Sequence, residues 1–169
     1  VGEGFAQRVA DNERPVADGK LIGKYFNENR TPVKYEEVAP SFFKALVDTE
    51  DERFYKHLGI DPIGLFGAMK DALLHHDARG ASTITQQLAK QLYSPESSGL
   101  FERALQKPIE WAIAIKIERF YTKDEIVKMY FNQFDFLNNA VGISSASWVY
   151  FGKKPKDLNV QEAATLVGM

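Results

Sequence analysis

Hydrophobic and polar positions divide the chain into a short strand-like stretch and a long helical one. Val1 to Arg14 is polar and rich in small residues, and reads as a loosely held lead-in. Leu21 to Phe26 and Val33 to Tyr35 carry the pattern of two short strands, flanking the turn-like cluster Asn27-Glu28-Asn29-Arg30. From Pro40 the spacing becomes helical. Pro40 stands where a first-turn proline would, and Phe43, Leu46 and Val47 follow at helix spacing, which predicts a helix ending near Arg53. Gly59 closes the next turn. Asp61-Pro62 then reads as N-cap and first-turn proline of a second helix running to about Leu74. Ser82 is the expected cap of a third helix through Leu92.

A long helix is predicted from about Glu102 to Tyr121. Its apolar residues (Leu105, Ile109, Ala112, Ile113, Ile115 and Ile117) fall almost all round, the pattern of a helix buried in a core. Thr122-x-x-Glu125 and Asn159-x-x-Glu162 are capping boxes that open two further helices, and a helix from Gly142 to Tyr150 is stopped at Gly152. The predicted class is mostly α, with a small β feature near the N-terminus.

With 169 residues the chain has the size of one domain. Its 44% hydrophobic and 26% charged residues exclude a disordered or collagen-like chain. Lys+Arg 21 against Asp+Glu 23 gives a net charge of −2, so bulk charge draws it to no nucleic acid, and an anion site has to be a local cluster. The absence of cysteine removes disulfides, zinc–thiolate sites and thiol catalysis. No apolar run reaches the roughly 18–20 residues of a membrane-spanning helix. A chain that starts at Val1 and stops at Met169 inside an apolar helical pattern reads as a piece of a longer protein.

Three clusters could carry chemistry. Glu50-Asp51-Glu52 is on its own most simply a solvated acidic surface. The flanking Phe54, Tyr55 and His57 and the apolar helix before them would instead put Glu50 at the edge of a cleft with apolar walls, where a carboxylate suits general acid/base work. Gly80-Ala81-Ser82-Thr83-Ile84-Thr85-Gln86-Gln87-Leu88-Ala89-Lys90 sets small residues and hydroxyls before a helix, whose N-terminal N–H groups can meet an anion. Ser82, Gln86 and Lys90 share one face. The alternative is a capped helix with an exposed Gln-Gln pair. Arg103, Lys107, Glu110 and Ala114 share one stripe of the long helix, either as a polar groove able to hold a diphosphate or as a plain Lys107–Glu110 surface pair. His57 alone is more simply a packing residue than a base, and His75-His76-Asp77 reads as a solvated loop rather than a metal site.

Together and in this order these clusters resemble the peptidoglycan glycosyltransferases: the lysozyme-like polymerising domain of class A penicillin-binding proteins, and the monofunctional transglycosylases. The resemblance runs from about Leu21 to the end. It rests on Glu50-Asp51-x-x-Phe54-x-x-His57-x-Gly59-x-Asp61, on Gly80 to Lys90, on Lys107-x-x-Glu110-x-x-x-Ala114-x-x-x-Glu118, on Lys123-x-Glu125-Ile126-x-x-x-Tyr130-x-Asn132, and on Gly142-Ile143 through Lys153 with Leu158-x-x-x-Glu162-Ala163-Ala164. The departures are Gln106 where a basic residue is usual, Lys128 at an often acidic position, and Phe136-Leu137-Asn138-Asn139 in place of a glycine-rich segment.

The resemblance implies a two-lobed lysozyme-like fold in a single domain over residues 1–169, with a membrane-facing small lobe around residues 59–80. It implies a polymerase that transfers lipid-linked glycan to the GlcNAc 4-hydroxyl of lipid II with inversion, releasing undecaprenyl diphosphate. Glu50 matches the catalytic base and Glu110 the second carboxylate. Asp51, Arg53, Phe54, Ser82, Thr83, Gln86 and Gln87 would shape the substrate cleft, and Lys90, Arg103 and Lys107 would meet the diphosphate, with a divalent cation (Mg or Mn) as helper and no metal ligand assigned. The implied partners are lipid II, the lipid-linked glycan chain, the membrane surface and a transpeptidase domain in a full-length protein, with no nucleic acid. The implied place is the outer face of the bacterial cytoplasmic membrane, anchored by a segment absent from this chain. The competing readings are a lysozyme-like hydrolase or lytic enzyme, which has no need of Lys90 and Lys107 facing a diphosphate, and a non-catalytic lipid II-binding domain.

Overall fold

A computed structural model describes residues 13–15, 21–24, 31–75, 82–93 and 100–169. The side chains of residues 13–15, 21–24, 72, 75 and 100–105 fall outside that description. Two short strands, β1 (Glu13–Pro15) and β2 (Leu21–Lys24), pair antiparallel with Glu13 opposite Lys24. Seven described helices follow: α1 (Pro40–Glu50), α2 (Pro62–His75), α3 (Ile84–Tyr93), α4 (Leu100–Phe120), α5 (Lys123–Gln133), α6 (Ile143–Phe151) and α7 (Val160–Val167). The lead-in before Glu13, the break after His75, Gly80-Ala81 and the loop after Tyr93 lie outside the described residues.

The strand expected at Val33 to Tyr35 does not form. Its physical reason is Asn132, whose side-chain amide takes both backbone groups of Val33. Val33 N–H donates to Asn132 Oδ1 at 2.8 Å, and Asn132 Nδ2 donates to the Val33 carbonyl at 3.0 Å. Tyr35–Glu37 then turns as a 3₁₀ helix, and Leu21–Lys24 pairs with Glu13–Pro15 instead.

Helix starts follow the local chemistry. Pro40 and Pro62 occupy first-turn positions, and Asp61 Oδ1 accepts from the amides of Ile63 and Gly64. Thr122 with Glu125 and Asn159 with Glu162 form reciprocal capping boxes. α1 stops at Glu50, three residues short of the expected Arg53, because Asp51 leaves the helical region (φ −160°, ψ 72°).

The core is built round α3, which packs against α4 and α5, while α7 closes over α1. Ile84 and Leu88 of α3, Ala114 of α4, and Ile126, Val127 and Phe131 of α5 are fully enclosed. Phe42 and Phe43 of α1 meet Phe131 with ring centroids 6.4 Å and 5.6 Å apart. One close approach fixes the first functional turn against α4. Gly59 has φ +87°, and a Cβ there would lie 2.9 Å from the backbone carbon and oxygen of Ala114. The turn after Gly59 therefore rests directly on the α4 backbone.

α2 is not a plain core helix. Ile63, Phe66, Met69, Leu73 and Leu74 are each more than half exposed, and they recur at helical spacing along one face. Among the described residues no helix is long and apolar enough to cross a membrane.

Candidate active site

Glu50 ends α1, and the chain turns there so that neighbouring acids point opposite ways. Glu50 is half-buried and its Oε2 accepts from Gln87 Nε2 at 2.7 Å. Asp51 turns inward and is 7% exposed. Both its carboxylate oxygens lie 3.0 Å from His57 Nε2, and Oδ2 also accepts from the first amide of α3, Ile84 N–H, at 3.1 Å. Gly59 N–H donates to His57 Nδ1, which puts the ring proton on Nε2, aimed at Asp51. His57 is thus a structural residue.

This arrangement corrects the expected anion site at the start of α3. The cap is Thr83, not Ser82. Thr83 Oγ accepts from Gln86 N–H, and Gln86 Oε1 accepts from Thr83 N–H. With Asp51 on Ile84 N–H, the amides of Thr83, Ile84 and Gln86 at the start of α3 are taken by the protein's own groups. Thr83 Oγ also donates to the Gly59 carbonyl at 2.7 Å, tying α3 to the turn before α2. Released from capping, Ser82 faces the cleft.

Two adjoining pockets form that cleft. One, of ≈ 140 Å³, is lined by Glu50, Asp51, Glu52, Arg53, Asp61, Gly64, Ser82 and Thr83. The other, of ≈ 130 Å³, is lined by Ile60, Asp61, Leu65, Ser82, Gln86, Lys107 and Trp111. Asp61 and Ser82 line both, so the pocket of Glu50 and the pocket of Lys107 lie side by side. Lys107 Nζ lies 3.0 Å from Glu110 Oε2 and 3.4 Å from Ser82 Oγ. The expected Lys107–Glu110 pair is present, but it is no surface pair: the Glu110 side chain is 4% exposed. A nearly buried carboxylate beside a half-exposed ammonium holds that cation at the groove wall. Sequence reading passed over Pro108, which lies inside α4 between these two residues and removes a backbone donor from that turn.

Arg53 donates to Asp61 Oδ2 through both Nε (2.9 Å) and Nη2 (2.6 Å), spanning the groove from the α1 end to the start of α2. Burial pushes the Asp61 carboxyl up, but Arg53 and the Gly64 amide outweigh it and hold it below the usual range. Phe54, expected to touch substrate, is fully buried. Its ring packs edge-on against Tyr55 and His57, and Lys123 Nζ sits 4.3 Å above it, so it supports the cleft from beneath. Lys123 also bonds the His57 carbonyl and Glu118, which accepts from Thr85 Oγ at 2.6 Å. Lys90 is exposed and belongs to neither pocket lining. The Arg103 side chain lies outside the described residues; its backbone is in α4, one turn before Lys107. Among the described residues no three carboxylate or imidazole side chains gather to hold a metal ion.

One residue of the site was not anticipated. Tyr130, on α5, donates its hydroxyl to Gln87 Oε1 at 3.0 Å and so reaches Glu50 through the amide. The available signal was a tyrosine on an otherwise apolar helix face, where a buried hydroxyl requires a partner.

A family profile described as transglycosylase matches residues 18–169. The chain is 44% identical over 156 residues to penicillin-binding protein 1A of Escherichia coli (strain K12), covering 90% of the chain and 18% of that protein. It is 39% identical over 153 residues to penicillin-binding protein 1A of Vibrio cholerae serotype O1, covering 90% and 18%. It is likewise 39% identical over 153 residues to penicillin-binding protein 1F of Bacillus subtilis (strain 168), covering 90% and 21%. The chain therefore spans about a fifth of the length of these curated relatives.

Proposed function

The chain belongs to the transglycosylase family, and on that footing we propose that it polymerises peptidoglycan glycan, using lipid-linked glycan as donor and lipid II as acceptor. The observation that carries this reading is the pair of adjoining pockets. A carboxylate, Glu50, lines one, a cation, Lys107, lines the other, and Ser82 and Asp61 line both. An inverting displacement needs a base on the acceptor hydroxyl and charge neutralisation on the far side, where the leaving group departs. Glu50 takes the proton from the GlcNAc 4-hydroxyl as that oxygen bonds to the donor's anomeric carbon. The bond to undecaprenyl diphosphate breaks on the opposite face, and its negative charge falls to Lys107, with Arg103 one turn earlier on α4 as second cation. Glu110, 3.0 Å from the Lys107 ammonium, orients it rather than moving a proton. Holding both sugars in line makes the step effectively unimolecular.

The divalent cation implied by the resemblance finds no three-ligand protein site among the described residues, and no step proposed here passes through it. The exposed face of α2, with Ile63, Phe66, Met69, Leu73 and Leu74, is the surface proposed to rest on the bilayer that holds both substrates. We further propose that the domain works at the outer face of the cytoplasmic membrane, as part of a longer protein with a transpeptidase domain.

The test is incubation with fluorescent lipid II, detergent and a divalent cation, beside a Glu50→Gln variant. Long glycan is expected from the wild type, and a loss of at least about 100-fold from the variant, the contribution of a positioned base. Cleavage of preformed glycan in place of polymerisation would overturn the reading in favour of a hydrolase. For the membrane face, Phe66→Ser with Leu73→Ser is expected to abolish flotation with anionic phospholipid vesicles; unchanged flotation would remove α2 from that role.

A further inference from the structure

The amide of Gln87 has two ends, and either could face Glu50. The nitrogen end donates to a carboxylate, whereas the oxygen end, 2.7 Å from a second acceptor, would repel it. Glu50 thus takes the nitrogen end, and the oxygen end is held from the other side. Gln87 Oε1 accepts from the Tyr130 hydroxyl at 3.0 Å. Tyr130 is 3% exposed, and burial first, then the charge of Glu50, pushes its hydroxyl above the usual tyrosine range. It therefore keeps its proton and donates to the oxygen end, so that with the nitrogen on Glu50 the amide is held at both ends. The ring is itself fixed. It packs against Phe134 at 5.4 Å, and α5 is anchored two residues on by the grip of Asn132 on Val33.

We propose that Tyr130 is a positioning residue for Glu50, acting through Gln87. Three helices, α1, α3 and α5, each supply one member of this relay. With Glu50 Oε2 held by the amide, Oε1 is the oxygen that takes the proton from the acceptor hydroxyl. The proposal rests on the reading of Glu50 as base, but the relay itself can be detected without turnover.

The kinetic test compares Tyr130→Phe, Gln87→Met and the double variant in lipid II polymerisation. Each single variant is expected to lower kcat by about tenfold with little change in KM for lipid II, the order expected for one lost intramolecular hydrogen bond. The double variant is expected to match Gln87→Met alone, because Tyr130 acts only through Gln87. A further tenfold loss in the double variant, or a rise in KM with kcat intact, would overturn the relay. Gln87→Met alone at wild-type kcat would overturn it too, and that arm holds even if Tyr130→Phe fails to fold.

The second test is free of activity. The side-chain amide signal of Gln87 in an ¹⁵N–¹H spectrum, identified by its loss in Gln87→Met, is expected to shift in Glu50→Gln. In Tyr130→Phe it is expected to move toward free-glutamine values. If the wild type makes no glycan but these shifts appear, the relay stands and the polymerase reading falls. If glycan forms and the signal ignores both variants, the relay falls and the polymerase reading stands.

Discussion

Adjacent acids with opposite jobs make the sharpest prediction. Asp51→Asn keeps the shape of the side chain and removes one acceptor oxygen. The carboxylate receives the His57 Nε2 proton, 3.0 Å from both oxygens, and the Ile84 amide at 3.1 Å, in a site where His57 and Asp51 are each under a tenth exposed. An asparagine oxygen in the place of Oδ2 can still accept from both donors, but its NH₂ then stands in the place of Oδ1, 3.0 Å from His57 Nε2, donor against donor in a buried site. Losing one hydrogen bond to a charged group in a buried site costs about 1.5–3 kcal/mol. Losing the negative charge at the α3 N-terminus adds about 0.3–1 kcal/mol. The sum, about 2–4 kcal/mol, lowers Tm by roughly 4–16 °C at the 2–4 °C per kcal/mol of a domain this size. Glu50→Gln, one residue away, is expected to melt within about 2 °C of wild type, since only one part-exposed hydrogen bond is altered. Calorimetry of the two variants at pH 7 decides it. An Asp51→Asn protein that melts with the wild type would refute the assignment of Asp51 to the fold.

Other expectations follow from single contacts. Gly59→Ala sets a Cβ at φ +87° and 2.9 Å from the Ala114 backbone, and is expected to cost about 2–4 kcal/mol in urea unfolding, from strain plus overpacking. Leu137 is exposed and has φ +66°, so Leu137→Gly is expected to equal or exceed wild-type stability, whereas Leu137→Val is expected to lose about 1–2 kcal/mol in the same assay. Three carboxyls lie below their ordinary range: Glu125, through the Thr122 amide and hydroxyl; Glu162, through the Lys153 ammonium and the Asn159 amide; and Asp61, against the upward push of burial, through Arg53 and Gly64. The folded protein then binds fewer protons than the unfolded chain once pH drops toward the ordinary values of 4.5 and 3.8, so stability is full above them and is lost as pH falls through the lowered native values. Urea midpoints from pH 7 to pH 3 are expected to fall less steeply at the acid end in Glu125→Gln with Glu162→Gln.

What was legible in the sequence was what neighbouring residues decide. Asp61-Pro62, Thr122-x-x-Glu125 and Asn159-x-x-Glu162 cap helices with groups at most three residues away, and they do so in the structure. Contacts of long sequence separation were not legible. Val33 looked like a strand because nothing local revealed Asn132, 99 positions on, which occupies both of its backbone groups. Ser82 reads as the cap of α3 in the sequence, and only Gln86 and the Gly59 carbonyl, met in the fold, choose Thr83 instead. Phe54 read as a cleft residue from its motif, and only the packing of Tyr55, His57 and Lys123 around it places it in the core. The apolar content of α2 was visible, but that its face stays exposed among the described residues is decided by long-range packing. The three consecutive left-handed residues Leu137, Asn138 and Asn139 were half legible: asparagine tolerates that region, and leucine gives no such sign.

These mismatches share one physical pattern. At two places along the cleft, neighbouring residues divide the labour, one turned inward to hold the wall and the other turned outward to work. Asp51 binds His57 and α3 while Glu50 faces the groove. Thr83 caps α3 and grips Gly59 while Ser82 meets Lys107. A catalytic group must be held in place, yet its own hydrogen-bonding capacity has to stay available for substrate. Giving the anchoring to the adjacent residue meets both demands, because the backbone between two neighbours is short and stiff and passes the constraint on. It follows that the inward residues report on folding and the outward ones on turnover. Conservative changes at Asp51 or Thr83 are expected to move Tm, and the same changes at Glu50 or Ser82 to move rate. A motif whose residues all look polar on paper is, in the folded chain, two interleaved sets with different consequences.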